Sequence, residues 1–316
     1  MSSLYDAVAG RVDRLATASA RRARGEVVHT HVPTGLPAFD ERFGGSEIGV
    51  NTLVVAHTGE GKTSVLAQMA EGAARAGLGA KLYVLEDPED RVCDRILSGI
   101  TLASANDIAR LRVEPERLAA ALPALDWARR IELVTDRHTP DAVLEDLDQS
   151  LTVGGAPLRF AAVDYAQGFA EDDKGMERTV SRLCMGLREW SKARRAATAL
   201  GSQVRSEVLQ RGRARWERSL ANAERDPRRK PDVSGFRPGK GDAMWSARLE
   251  QYSKAVWYVF RPGRWWKEMC AGDPARAAAV KDDQIELRVG KQNFGPEGWE
   301  TFRWDGSTTR IGEVIK

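Results

Sequence analysis

The sequence predicts an α/β fold, with a mostly parallel central sheet flanked by helices and closed by antiparallel strands. Three observations carry that prediction. Short apolar runs alternate with helical patterns between residues 52 and 203, and strands separated by helix-length segments need right-handed crossovers over a parallel sheet. Residues 56–64, AHTGEGKTS, lie between an apolar run and a helical pattern, the context a phosphate-binding loop requires. Beyond residue 250, strand-like runs follow one another across Gly-rich turns, which favours antiparallel pairing.

The elements follow in order. Leu4, Val8, Val12 and Leu15 fall on one stripe of a helix ending in Arg21, Arg22 and Arg24, cations that suit a helix C-terminus. This N-terminal helix, residues 1–30, packs either on its own domain or on a neighbouring subunit. The α/β domain spans residues 31–316. TLVVA at 52–56 is its first strand and TSVLAQMAEGAARAG at 63–77 its first helix. KLYVLE is the next strand, and DPEDRVCDRILSGI a helix that starts on an acidic, Pro-containing turn. IELVTD, RFAAVDY and ATALGSQ are further strands, with helices at VLEDLDQSL and ERTVSRLCMGLREWSKARR. Residues 205–243 change character, dense in Arg, Gly and Pro, and read as a loop or weak helix. KAVWYVF, DQIELRVGKQN, WETFRWDG and TTRIGEV supply the closing strands.

Composition limits the rest. A chain of 316 residues with 42% hydrophobic residues buries a substantial core, which excludes a disordered tail or a disulfide-stapled mini-protein. The formal charge is only +3, so any nucleic-acid surface is a local patch. Cys93, Cys184 and Cys270 lie far apart, as expected of buried free thiols in a reducing compartment. His29, His31, His57 and His138 offer no zinc spacing. With no apolar run near the roughly 20 residues of a membrane span and no signal segment, a soluble cytoplasmic protein without a membrane partner is expected.

The loop carries the chemistry. Gly59 and Gly61, with Thr58, Glu60 and Ser64 completing the turn, let backbone amides cradle phosphates at a helix N-terminus. Lys62 supplies a charge for the β and γ phosphates of ATP, and the Thr63 hydroxyl is placed to ligate Mg²⁺. Asp164 ends RFAAVD and suits the metal-ordering carboxylate; alternatively it is an ordinary strand-ending turn residue. Glu86 ends KLYVLE and is the candidate base for an attacking water. Asp87 is its rival, although its place on the turn favours capping the next helix. Gln203 ends ATALGSQ and offers an amide to the γ-phosphate. These strand ends share the carboxyl edge, where open α/β sheets bind ligands.

Taken in order, TGLPAFDERFGGSEIG, LYVLED, AAVDYAQGF, ALGSQVR and VGKQNFGPEGWETFRWDGSTTRI resemble the blocks of RecA-like ATPases, and specifically of the DnaB family of hexameric replicative helicases. The resemblance spans residues 30–316. It implies a RecA-like phosphate-loop ATPase with ATP and Mg²⁺, a homo-hexameric ring on single-stranded DNA, and a loader or primase partner. It implies further that residues 1–25 form the linker helix that docks on the adjacent subunit, with no primase-interacting domain before it. Lys62, Thr63, Glu86, Asp164 and Gln203 match the family's phosphate, metal, base, aspartate and coupling positions. Lys291 matches the lysine of a Lys-x-Arg that reaches the neighbour's nucleotide, but the arginine position holds Asn293. Arg261, Arg264 or Arg288 then takes that role, a partner supplies the charge, or turnover is slow. In such rings the loops after Asp164 and Gln203 hold DNA. The first, AEDDKGMER, is mixed and acidic. The second carries Arg205, Arg211, Arg213, Arg215, Arg218, Arg225, Arg228, Arg229, Lys230, Arg237 and Lys240 against five acids, with Trp216 and Phe236 as stacking surfaces. Trp265 and Trp266 are expected to pack rather than stack bases. The alternative function is a regulatory or assembly ATPase with slow turnover and no unwinding.

Overall fold

In the strand Asn51–Ala56 every residue is buried. Val54 and Ala56 belong to one hydrophobic cluster and Leu53 and Val55 to another. Side chains of a strand alternate between faces, so an unbroken apolar run is what a strand covered on both sides needs. The strand Gly79–Val84 repeats the pattern, with Leu82 and Val84 on the first side and Tyr83 on the second.

The computed structural model describes residues 3–26, 28–137, 139–164, 173–226, 228, 230–244, 246–293 and 295–315. The chain divides into two units, Met1–His31 and Val32–Lys316. In the first, α1 (Leu4–Ala23) begins with a reciprocal Ser3–Asp6 capping box and carries Arg21 and Arg22 in its last turn. It buries none of its residues. Leu4, Tyr5, Val8, Val12 and Leu15 are each more than half exposed.

The second unit is built on one sheet. Its strands are β1 (Asn51–Ala56), β2 (Gly79–Val84), β3 (Ile131–Val134), β4 (Ala156–Asp164), β5 (Ala197–Gln203), β6 (Ala255–Phe260), β7 (Gln284–Lys291), β8 (Gly298–Asp305) and β9 (Arg310–Val314). They pair in the order β9-β8-β7-β6-β1-β5-β4-β2-β3, and Thr152–Val153 adds a short antiparallel partner to β4. From β6 across to β3 all pairings are parallel, whereas β6, β7, β8 and β9 pair antiparallel. The architecture is the one read from the sequence.

The helices that matter below are α2 (Lys62–Arg75), α3 (Glu89–Thr101), α4 (Pro140–Gln149), α5 (Asp173–Arg194), α6 (Ser206–Arg225), α7 (Ser246–Tyr252) and α8 (Pro262–Met269). Leu66, Met69 and Ala73 of α2 cover one face of the sheet, while Leu183 and Leu187 of α5 cover the other.

Three expectations change. Residues 205–243 are not a loop throughout, because α6 runs 20 residues. Val208, Gly212 and Trp216 form its buried stripe at four-residue intervals, a period that the surrounding arginines disguise in the sequence. Between α3 and β3 lie the short helices Ala105–Ala109 and Pro115–Ala119 and the 3₁₀ helix Leu122–Arg130, none of them anticipated. The three cysteines are free, but only Cys184 and Cys270 are buried; Cys93 is exposed on α3. Among the described residues no helix is long and apolar enough to cross a membrane. His138, Arg229 and most of the acidic loop after Asp164 lie outside the described residues.

Candidate active site

The chain leaves β1 at Ala56 and enters α2 at Lys62. That reversal is made by Gly59 at φ +76° and Gly61 at φ +95°, a left-handed region that costs other residues energy. Space requires Gly61 as well, since a Cβ there would stand 3.2 Å from the Trp304 ring and 3.3 Å from Ile285. The loop therefore presents its amides at the positive end of α2.

Lys62 and Thr63, first and second in the helix, both reach back to Asp164 at the end of β4. The Lys62 ammonium donates to Oδ1 and the Thr63 hydroxyl to Oδ2. Burial pulls Lys62 below the ordinary lysine range, while Glu86 and Asp87 pull it back up. The loop opens on a pocket of about 230 Å³ whose lining includes Lys62, Thr63, Ser64, Glu86, Gln203 and Trp304. Thr58, Gly59 and Gly61 line it too. Glu86 is exposed and Gln203 half-buried. Five side chains read from the sequence (Lys62, Thr63, Glu86, Asp164 and Gln203) thus meet at one sheet edge.

Other expected residues sit elsewhere. Asp87 does not cap α3, whose N-cap is Pro88 with no side-chain bond; it pairs with Arg95 at 2.7 Å. Glu60 faces away from the pocket and is fully buried. Its Oε2 accepts the Arg261 backbone N–H at 2.7 Å, and Arg264 Nη1 lies 3.6 Å from Oε1. Burial pushes this carboxyl up to about 8 against the pull of Arg264 and Arg261. Arg261 Nη1 also donates to Gly59 O at 3.0 Å, and Arg264 Nη1 to Thr58 O at 2.5 Å. Arg261 is completed by Asp282 and the Trp304 ring, 4.5 Å from its guanidinium carbon. Both arginines therefore hold the chain's own loop. A buried Glu in a phosphate loop demands nearby cations, yet a separation of 201 residues hid which ones.

Lys291 lies apart from the loop. Its Nζ donates to Ser253 O at 2.8 Å and to the Glu250 carbonyl at the end of α7. Asn293 is exposed, as is Arg288 on β7.

The basic segment divides by role. Arg211 grips Asp242 through both oxygens, at 3.2 and 2.8 Å, and also donates to the carbonyls of Gly235 and Arg237. Arg215 pairs with Asp232 at 2.6 Å. Arg205 takes the N-cap of α6 and is half-buried. Arg213 is exposed, but on the outer face of α6 Arg213, Arg218 and Arg225 alternate with Glu207, Glu217 and Glu224. That face is balanced rather than basic. The exposed excess lies further on, at Arg228, Lys230 and Lys240. Trp216 and Phe236 are buried, so neither is a stacking surface for bases. Phe236 lies parallel to Trp265 with centroids 4.2 Å apart, and Trp216 meets Trp266 edge-on at 5.5 Å. Packing of the two adjacent tryptophans is thus as expected, and it consumes the other two rings.

A parallel sheet with a glycine-shaped loop, a lysine and a hydroxyl at the start of the next helix, and an aspartate on a neighbouring strand define a phosphate-loop protein of the RecA-like class. The DnaB-like helicase C terminal domain family matches residues 31–313, and the chain belongs to that family. Among solved structures, it is similar to one described as an isolated ATPase domain, with TM-score 0.74 and 16% identity over 100% of both chains. It is similar also to a DnaB-like replicative helicase described with its primase interactions, at TM-score 0.73 and 17% identity over 100% of this chain and 68% of that one. A KaiC-like protein from Pyrococcus horikoshii OT3 aligns at TM-score 0.54 and 14% identity over 90% and 99% of the two chains. A sequence comparison with curated proteins gave no match.

Proposed function

We propose that the chain is the ATP-hydrolysing core of a DnaB-like helicase, working as a homo-hexameric ring that translocates along single-stranded DNA. The observation that carries this reading is the convergence of Lys62 and Thr63 on Asp164, beside Glu86 and Gln203 in one pocket. The donor set fits Mg²⁺–ATP. Mg²⁺ is bound through one or two hard oxygen ligands plus phosphates and water, which Thr63 and Asp164 offer, and the loop amides and Lys62 suit the phosphates. When bound, Mg²⁺–ATP supplies the transferable phosphoryl group with its charge partly neutralised. Lys62 exchanges Asp164 for phosphate oxygens, Glu86 accepts a proton from water at the pocket rim, and Gln203 carries a polar amide toward the α6 segment. Arg205, Arg211, Arg213 and Arg215 are the DNA contacts expected from sequence. With Arg211 and Arg215 holding acids, the phosphate contacts fall to Arg205 and Arg213 with Arg228, Lys230 and Lys240.

The exposed stripe of α1 suits docking on a neighbouring subunit, because such an apolar face is stable only against a partner. A loader or primase is the expected outside partner, in the cytoplasm. A slow regulatory or assembly ATPase is the second reading, favoured by Asn293 and by the balanced face of α6. Steady-state hydrolysis with and without single-stranded DNA, with Lys62→Ala as blank, separates the two. Strong stimulation supports the helicase; slow, DNA-indifferent turnover supports the regulator.

A further inference from the structure

His57, the first residue after β1, has no role in phosphate binding, yet it is buried at the junction of two elements. Its Nε2 lies 2.8 Å from Phe236 O, and only a ring N–H can satisfy that carbonyl. Its ring meets Trp265 edge-on at 4.9 Å, and Trp265 stacks on Phe236. Phe236 is in turn locked to α6, because a Cβ on Gly212 would stand 2.2 Å from its ring. Arg211 holds the carbonyls on either side, Gly235 O and Arg237 O. Together with Trp216, Phe260 and Cys270 these rings form a hydrophobic cluster separate from the two that cover the sheet. One rigid chain of contacts therefore runs from the phosphate loop to the basic segment.

We propose that His57 is a positioning residue that transmits phosphate occupancy of the loop to residues 206–242 through Phe236 and Trp265. The proposal rests on the nucleotide-binding reading above. Phosphates that fix the loop amides also fix the His57 backbone, and the hydrogen bond and ring packing pass that ordering to the segment bearing Arg228, Lys230 and Lys240. By linkage, whatever orders that segment tightens nucleotide binding by the same factor. This route is physically distinct from Gln203, which leaves the loop by a neighbouring strand.

The test is hydrogen exchange on the full chain with and without Mg²⁺–ADP, read on peptides covering 56–64 and 230–242. In the wild type, nucleotide should slow both regions, the second by about fivefold or more, within the range of ordinary coupling energies. His57→Phe keeps an aromatic ring but removes the donor, and should leave 56–64 slowed while 230–242 no longer responds. His57→Gln can restore a donor near the Nε2 position and should recover the response. Gly212→Ala touches no nucleotide, but it displaces Phe236 and should weaken Mg²⁺–ADP binding by a similar factor. If 56–64 responds and 230–242 does not in the wild type, or responds equally in His57→Phe, the relay is refuted. Nucleotide that slows neither region refutes the nucleotide-binding reading itself, and the relay with it.

Discussion

The Arg261 backbone N–H donates to Glu60 Oε2 across 2.7 Å, joining the turn after β6 to a carboxyl buried inside the phosphate loop. With Arg261 on Gly59 O and Arg264 on Thr58 O, three consecutive loop residues are held from behind. A loop fixed in this way spends little entropy when it receives a ligand.

Glu60 makes stability depend on pH. Its carboxyl titrates at about 8 in the folded chain, far above the unfolded value, so between those values the folded state binds more protons than the unfolded state. Stability therefore falls as pH rises through that window and is flat above it. Glu60→Gln can keep the acceptor for Arg261 without titrating. From about pH 6 to about pH 8 the wild type should lose on the order of 2 kcal/mol relative to the variant. Thermal melts across that range decide it, and parallel pH profiles would remove Glu60 from the account.

Arg211 and Arg213 stand two residues apart on α6 and should behave oppositely. Arg211→Ala leaves Asp242, which is 5% exposed, without its bidentate partner, and should destabilise the chain by about 1.5–3 kcal/mol in urea unfolding. Arg213→Ala removes an exposed cation, so stability should change by less than about 0.5 kcal/mol. If Arg213 contacts DNA, its loss lowers the salt slope of single-strand binding by about 1. An unchanged slope would place the DNA path elsewhere, beginning with Arg228, Lys230 and Lys240.

These two arginines also mark where sequence reading stops. The alternating strands and helices, the loop, and the strand-end residues Glu86, Asp164 and Gln203 are legible because periodicity and sheet-edge placement are local properties. What Arg211, Arg215, Arg261 and Arg264 do is not legible, because it depends on acids and carbonyls 17 to 206 residues away. Composition records a basic stretch, whereas the fold spends part of that charge on Asp232 and Asp242. Trp216 and Phe236 mislead for the same reason: an aromatic ring beside arginines looks like a base platform until its packing partner is known.

Removing the apolar stripe of α1 should change assembly and not folding. Val8→Asp with Val12→Asp places two charges on residues already 54% and 58% exposed, so the melting temperature should stay within a few degrees, as for ordinary surface changes. Light scattering after size exclusion should report a smaller species than the wild type. Equal masses would show that α1 makes no subunit contact in solution.

The last prediction concerns the charge missing at Asn293. Arg261 and Arg264 are committed to their own loop, and Lys291 is held by carbonyls at the end of α7. Arg288 differs: it is exposed on β7 and makes no hydrogen bond or ion pair among the described residues. The register shift between Val289 and Lys291 adds a residue to the strand, which brings Lys291 onto the face that Arg288 occupies. An arginine that neutralises charge on a transferred phosphoryl group is worth about 10³–10⁵ in rate. If Arg288 reaches a neighbour's nucleotide, Arg288→Ala should cut turnover by about that factor while nucleotide affinity and melting temperature hold. Asn293→Arg in the Arg288→Ala background should then recover part of the loss. Should Arg288→Ala leave turnover intact while Asn293→Arg alone accelerates it, the chain has no arginine of its own in this role, and slow regulatory turnover becomes the better description.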